Sequence, residues 1–272
     1  MPEPSEYVMG RNERERRRLA LQASVLNPLT EQLVIRAGMA PGMRVLEFGC
    51  GVGDVSMIAA RLVGPTGLVT ALDADPSAIE VARARAEEQG LRWIRFEQCD
   101  LNRYEPEGAF DAVVGRYILV HMKDPLATLR MAYGALRQGG VAVFHEADFT
   151  VSPPIYPESL IRAQVFERVR QFIIRATHAN IGTRLYHLFL EAGFAEPNCR
   201  GETVFDSGPN GPMCEWFAET VRSLLPPMEA MGIIQPGEIE IDTLAERMRA
   251  EVISTNAGMA SPLVIGGFAH KP

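Results

Sequence analysis

With 272 residues, a hydrophobic fraction of 47% and a formal net charge of −7, the chain can bury a sizeable core and is ill suited to nonspecific binding of nucleic acid or anionic lipid. No apolar run approaches the length of a membrane span, and Met1-Pro2-Glu3-Pro4-Ser5-Glu6 lacks the layout of a secretory signal, so a cytoplasmic location is expected. Cys50, Cys99, Cys199 and Cys214 have no C-x-x-C spacing, which argues against structural zinc or a disulfide framework; they read as buried or partly buried thiols, with Cys50 open to alkylation.

In chain order, residues 1–40 form an N-terminal helical segment, with Leu19, Val25, Leu26, Leu29, Leu33, Val34 and Ala37 apolar. Pro28 predicts a break into two helices, Asn27 capping the second. The run Arg11 to Arg18 mixes Glu13 and Glu15 with arginines and reads as a solvated helix face. The main domain, 41–272, begins with the turn Pro41-Gly42 and a strand ending in Val45-Leu46-Glu47-Phe48. Gly49, Gly51 and Gly53 follow on alternate positions, and a helix starts near Ser56. Glycine accepts positive φ and has no Cβ, so a ligand can lie against the backbone there, as in a nucleotide-type crevice. Glu47 adds an acceptor for a cationic amine, which suits a ligand with an amino-acid end better than a pyrophosphate.

A second strand, Leu68 to Asp73, ends in an acid able to take both hydroxyls of a ribose, with Ala74 beside it. The third, Ile94 to Cys99, runs into Asp100-Leu101, a carboxylate and an apolar side chain suited to the amine and face of an adenine. The fourth, Phe110 to Gly115, leads to Arg116-Tyr117, and Gly139 to Phe144 gives a fifth. Helices over 78–89 and 125–137, with Gly90 and Gly139 as their stops, complete the alternation of a parallel sheet covered on both faces. Ligands of such sheets bind at the carboxyl ends of the strands, which places Glu47, Asp73, Asp100, Arg116 and His145 on one rim. Later, helical patterns over 158–177 and 212–258, the latter interrupted at Pro226-Pro227 and Pro236-Gly237, predict lid insertions near 151–180 and 212–258. A helix near 183–192 and strands near 200–205 and 262–268 complete the pattern.

The motif from Glu47 to Gly53, the acid at Asp73, Asp100-Leu101 and the strand from Phe110 match, in order, the class I S-adenosylmethionine (SAM)-dependent methyltransferase family. The chain resembles that family over roughly residues 30 to 150, closest to bacterial small-molecule methyltransferases of the quinone and natural-product type. The resemblance implies an α/β, doubly wound, seven-stranded, mostly parallel Rossmann-like sheet in the order 3-2-1-4-5-7-6, with the inserted helices as a lid. It implies SAM as cofactor, held by Glu47, Gly49, Gly51, Gly53, Asp73, Ala74, Asp100, Leu101 and Arg116, with Tyr7 folding over its methionine end. A nicotinamide fingerprint fits less well, because Gly53 comes one residue early and Asp54 stands at the expected place.

Methyl transfer needs an aligned nucleophile and, for an oxygen acceptor, a base. His145, followed by Glu146 and Asp148, suits a base with an orienting acid or a polar grip on substrate hydroxyls; His121, after the fourth strand, is a second candidate. Metal-dependent relatives place their acids differently, so no metal is expected. Tyr117, Glu146, Asp148 and His178, with Phe166, Trp216 and Phe217 and the neighbouring Phe172 and Met213, are expected to line an acceptor pocket. His187 and His270 read as surface or structural. The leading function is therefore methyl transfer to O, N or activated C of a small molecule. A SAM-binding protein without methyl transfer and a macromolecular methyltransferase are the alternatives; Gly115-Arg116-Tyr117-Ile118 stands where an amine-directed nucleic-acid enzyme carries Asn-Pro-Pro-Tyr. No membrane or nucleic-acid partner is expected, and a homodimer is left open.

Overall fold

The computed structural model describes residues 13–105, 109–153, 155–207 and 210–272; Tyr7 lies outside them. Its helices are α1 (Glu13–Arg36), α2 (Asp54–Val63), α3 (Pro76–Glu88), α4 (Pro125–Ala135), α5 (Leu160–Ala176), α6 (Ile181–Glu191), α7 (Met213–Ala230) and α8 (Ile241–Thr255). Its strands are β1 (Arg44–Phe48), β2 (Leu68–Asp73), β3 (Ile94–Gln98), β4 (Phe110–Arg116), β5 (Leu136–Asp148), β6 (Ala195–Glu202), β7 (Phe205–Ser207), β8 (Gly258–Ala260) and β9 (Leu263–His270). Seven of them form one sheet in the order β3-β2-β1-β4-β5-β9-β6, which is the expected order with β9 as the seventh strand. β1 pairs in parallel with β2 and β4, β2 with β3, and β4 with β5.

Successive side chains of a strand point to opposite faces, so strands buried on both faces must be covered on both. Val45, Leu46, Phe48, Ala112, Val113 and Val114 meet that condition. On one side, Leu33 and Val34 of α1, Val55 and Ile58 of α2 and Ile79 of α3 join Val45, Val69, Phe96, Val114 and Val143 in a single core. Helix starts are set by capping acids. Asp75 accepts from the Ser77 N–H at 3.0 Å ahead of Pro76, and Asp124 accepts from the Ala127 N–H at 3.0 Å ahead of Pro125.

Two compact units divide the chain. The sheet unit comprises 26–146, 181–201 and 265–272; the helical unit comprises the chain up to Val25, 147–180 and 202–264. The segments 151–180 and 212–258 both fall in the helical unit, whereas the N-terminal helical segment is shared between the units at Val25/Leu26.

Prolines were weaker breaks than their chemistry suggests. α1 runs through Pro28, and α7 through Pro226 and Pro227. A helical proline removes one hydrogen bond and crowds the preceding turn. Around Pro28, buried Leu26, Leu33 and Val34 hold the helix in place, and Asn27 accepts from Arg116 instead of capping. Leu224 and Met228, both buried, do the same around Pro226-Pro227. Gly139 is not a helix stop either: α4 ends at Ala135, and Gly139 lies within β5 at φ +71°, donating to the Lys271 carbonyl at 2.9 Å. The β7–β8 antiparallel pair was not foreseen; its strands are three residues each, too short for a periodic signal.

Candidate active site

After β1 the chain turns through Gly49, Gly51 and Gly53 at φ +69°, +51° and +85°. A Cβ at Gly49 would stand 2.6 Å from Ile118 Cδ1, and one at Gly53 would stand 3.0 Å from Ala82 Cβ on α3. At Gly51 a Cβ would meet nothing within 4 Å. The first and third glycines serve packing; the middle one faces open space. The loop is pinned by the Cys50 N–H to the Leu72 carbonyl at 2.9 Å and by the Gly51 N–H to Asp73 Oδ2 at 2.7 Å.

Asp73 Oδ1 accepts from the Asp75 N–H at 2.8 Å, and the Ala74 N–H adds a third backbone bond to the carboxylate, which still leaves acceptor capacity for a ligand. The side chain is half-buried, and desolvation raises its pKa against those hydrogen bonds. Ala74 next to it is exposed. Asp100 is exposed and takes the Asn102 N–H at 3.0 Å and Nδ2 at 2.8 Å, bonds that lower its pKa, while Leu101 is buried. The open side of Gly51, the free capacity of Asp73 and the polar–apolar pair Asp100-Leu101 fit a nucleoside with a ribose diol.

Glu47 lies deeper than a rim position, at 1% exposure, and accepts from the Ser56 hydroxyl in the first turn of α2. Burial pushes its carboxyl up to about 8; an ammonium arriving beside it would favour the ionised form. Arg116 is also interior. Its Nη1 donates to Asn27 Oδ1 at 2.8 Å and Thr30 Oγ1 at 3.1 Å, and its Nη2 stands 4.0 Å from Asp54 Oδ2. Arg85 completes this layer, with Nη2 on Asp54 Oδ1 at 2.8 Å and Nη1 on the Val52 carbonyl at 2.6 Å. Asp54 is thus neutralised by two arginines rather than turned toward a ligand. Ser56, Thr30 and Arg85 were missed in the sequence; only Ser56, in the first turn after a glycine loop, carried a usable signal.

The fifth strand does not end at Phe144. β5 continues to Asp148, which takes His145 off the rim and into the interior at 2% exposure. Its Nδ1 lies 3.0 Å from Thr30 Oγ1, and desolvation, then the Arg116 charge, push the imidazole down to about 3. Glu146 points to the other strand face. Its Oε1 accepts from the Ile118 and Leu119 N–H groups, both at 2.9 Å, while Oε2 is buried without a hydrogen bond among the described residues. Burial raises that carboxyl to about 8. Asp148 accepts from the Thr150 N–H at 2.8 Å and from its hydroxyl. The three side chains therefore serve separate partners rather than forming one base–acid cluster.

His121 is half-buried in a 3₁₀ turn, Leu119–His121, and Tyr117 just before it has φ +53°. In the helical unit, Phe166, Phe172, Met213 and Trp216 are buried and Phe217 and His178 half-buried. His187 pairs with Glu191 at the surface, 3.4 Å away, and His270 is exposed. Cys50 is 6% exposed, and burial with two nearby carboxylates raises its thiol, which makes it inert rather than open to alkylation. All four cysteines are free.

A seven-stranded doubly wound sheet with a glycine turn after its central strand, an acid ending the next strand and a third acid–apolar pair defines the Rossmann-like methyltransferase class. The model of a methyltransferase-domain family matches residues 40–193, more than half of the chain, and the protein belongs to that family, in its class I SAM-dependent branch. A ubiquinone biosynthesis O-methyltransferase of Xanthomonas campestris pv. campestris is 32% identical over 145 residues, 53% of this chain and 59% of that protein. Aklanonic acid methyltransferase DauC of Streptomyces sp. (strain C5) is 32% identical over 151 residues, 52% of this chain and 69% of that protein. The chain spans about half the length of the curated relatives it matches, from 45% to 69%. A putative methyltransferase from Bacillus halodurans shares the fold with a TM-score of 0.58 at 19% identity, covering 89% of this chain and 98% of that one.

Proposed function

We propose that the protein is a SAM-dependent methyltransferase that methylates a small-molecule acceptor. The observation that carries the reading is Gly51, a left-handed glycine facing open space and hydrogen-bonded to the acid expected to hold the ribose. SAM supplies an electrophilic sulfonium methyl when bound. In this reading Asp73 takes the ribose hydroxyls, Asp100 and Leu101 take the adenine, and Glu47 takes the amine and gives up its proton as it does so. Arg116, Asp54 and Arg85 keep the underside of the glycine turn rigid and charge-balanced.

His145 holds α1 to β5 in this reading and transfers no proton, because an imidazole with a pKa near 3 is a poor acceptor of one at neutral pH. With no base at His145, an acceptor that reacts without one, such as a carboxylate oxygen or an amine nitrogen, suits this reading best. The absence of a nucleic-acid substrate belongs to the same reading, supported by the net charge of −7, and so does a cytoplasmic location, on which the charge is silent. The test is formation of S-adenosylhomocysteine from SAM across a panel of quinone precursors, polyketide acids and small amines. Product with at least one class is expected. Tight SAM binding with no turnover on any class would favour a cofactor-binding protein instead.

A further inference from the structure

Arg162 lies in the first turn of α5, and its side chain turns into the helical unit, leaving the residue 4% exposed. Its guanidinium carbon stands 5.1 Å from the ring centre of Phe166, one turn along the same helix, and 5.9 Å from that of Phe217 on α7. The two rings are 6.5 Å apart and inclined by 30°. Cation–π attraction can orient the guanidinium, but it supplies no lone pair for its N–H donors. Among the described residues its guanidinium forms no hydrogen bond and no ion pair.

Neither Glu158 nor Glu251 forms an ion pair with Arg162. Glu158, the one whose charge it feels, is exposed. Glu251 is bound to the start of α5, where it takes the Leu160 N–H at 2.9 Å and the Ile161 N–H at 3.3 Å. Burial lowers the guanidinium to about 10, which leaves it charged at neutral pH. A largely buried cation with no ion pair is costly, and a position needing only packing would carry leucine or methionine. On α7, Trp216, beside Phe217 in sequence, also has a buried indole N–H, with no acceptor among the described residues. The unpaired guanidinium nitrogens of Arg162 keep some accessible surface, so an anionic ligand can reach them.

We propose that Arg162 anchors a carboxylate of a small-molecule ligand, whose apolar body is met by Phe166 and Phe217. A single guanidinium balances a single negative charge, so a monoanion fits, whereas a dianionic phosphate would leave charge uncompensated. This anion site does not depend on the methyl-transfer reading.

The full chain, without cofactor, is titrated by calorimetry and thermal shift with matched probes: 4-hydroxybenzoate against 4-hydroxybenzamide, indole-3-carboxylate against indole-3-carboxamide, and phenyl phosphate as the dianion. At least one carboxylate should bind about tenfold or more tightly than its amide. Arg162→Met should abolish that preference while S-adenosylhomocysteine affinity stays within about twofold of wild type. Arg162→Met should also melt no lower than wild type, since it replaces a buried cation by an apolar chain of similar reach. Arg162→Lys, with the charge but without the fork, should keep part of the preference.

Equal binding of acid and amide overturns the assignment. So do undiminished carboxylate binding in Arg162→Met, preference for phenyl phosphate, and no binding of any probe. A melting temperature of Arg162→Met well below wild type assigns the side chain to packing and overturns it as well. A protein that discriminates acid from amide yet never forms S-adenosylhomocysteine keeps the anion site and loses the methyl-transfer reading, so the two failures are read apart.

Discussion

Single side chains in this site have two duties, one to the backbone and one to a ligand, and substitutions should expose both. Asp73→Ala removes the acceptor for the Gly51 and Asp75 N–H groups as well as the ribose contact. SAM affinity should fall by roughly 1.5–3 kcal/mol if both ribose bonds are lost, and calorimetry giving an unchanged affinity would reject the ribose assignment. Gly51→Val should eliminate cofactor binding with the fold retained, because a branched side chain would fill the open side of the turn and is strained at φ +51°. Wild-type affinity in that variant would mean the ligand lies elsewhere. Glu47 makes a proton count possible. Held at about 8 when empty and drawn down by an amine, it should release about one proton per cofactor at pH 7, read as a buffer-dependent binding enthalpy that disappears in Glu47→Gln.

At the scale of elements, the strand–turn–helix rhythm was legible because buried strands read as unbroken apolar runs and helices announce themselves by Asp75-Pro76 and Asp124-Pro125. The cofactor acids were legible for the same reason: each ends such a run. Phe144-His145-Glu146-Ala147-Asp148 misled because polar letters resemble a solvated strand end. Here they are interior, satisfied by Thr30 of α1, by the 118–119 backbone and by Thr150. Partners 115 and 28 residues away leave no local trace in the sequence. Prolines misled for a related reason, since tertiary burial overrides local propensity. The link from β5 to the turn after β4 gives a direct test. Glu146→Ala orphans two backbone donors and should cost about 1–3 kcal/mol for each one left dry, whereas Glu146→Gln keeps an acceptor and should cost much less. Equal melting temperatures for the two variants would show that the carboxyl does not hold that turn.

For the molecule as a whole, the buried acids set an unusual pH response. Glu47 and Glu146 titrate near 8 in the fold against 4.5 in the open chain, so between those values the folded state binds more protons and stability falls as pH rises. His145 has the opposite sign: its contribution is present above 6.5 and lost as pH falls toward 3. Two glutamates outweigh one histidine over the shared range, so the ligand-free protein should melt at lower temperature at pH 8 than at pH 5. The Glu47→Gln, Glu146→Gln double variant should lose most of that slope. A profile parallel to wild type would remove both glutamates from the account.

The hydroxyl of Thr30 has one hydrogen and three neighbours. It gives that hydrogen to the Leu26 carbonyl at 3.0 Å, so toward Arg116 at 3.1 Å and His145 at 3.0 Å it can only accept. The imidazole must then carry its own hydrogen on Nδ1 and leave Nε2 bare, a single tautomer fixed by a helix residue 115 positions away. In ¹⁵N spectra His145 should show that Nδ1–H form unchanged across neutral pH, and Thr30→Val should release it into the ordinary mixture.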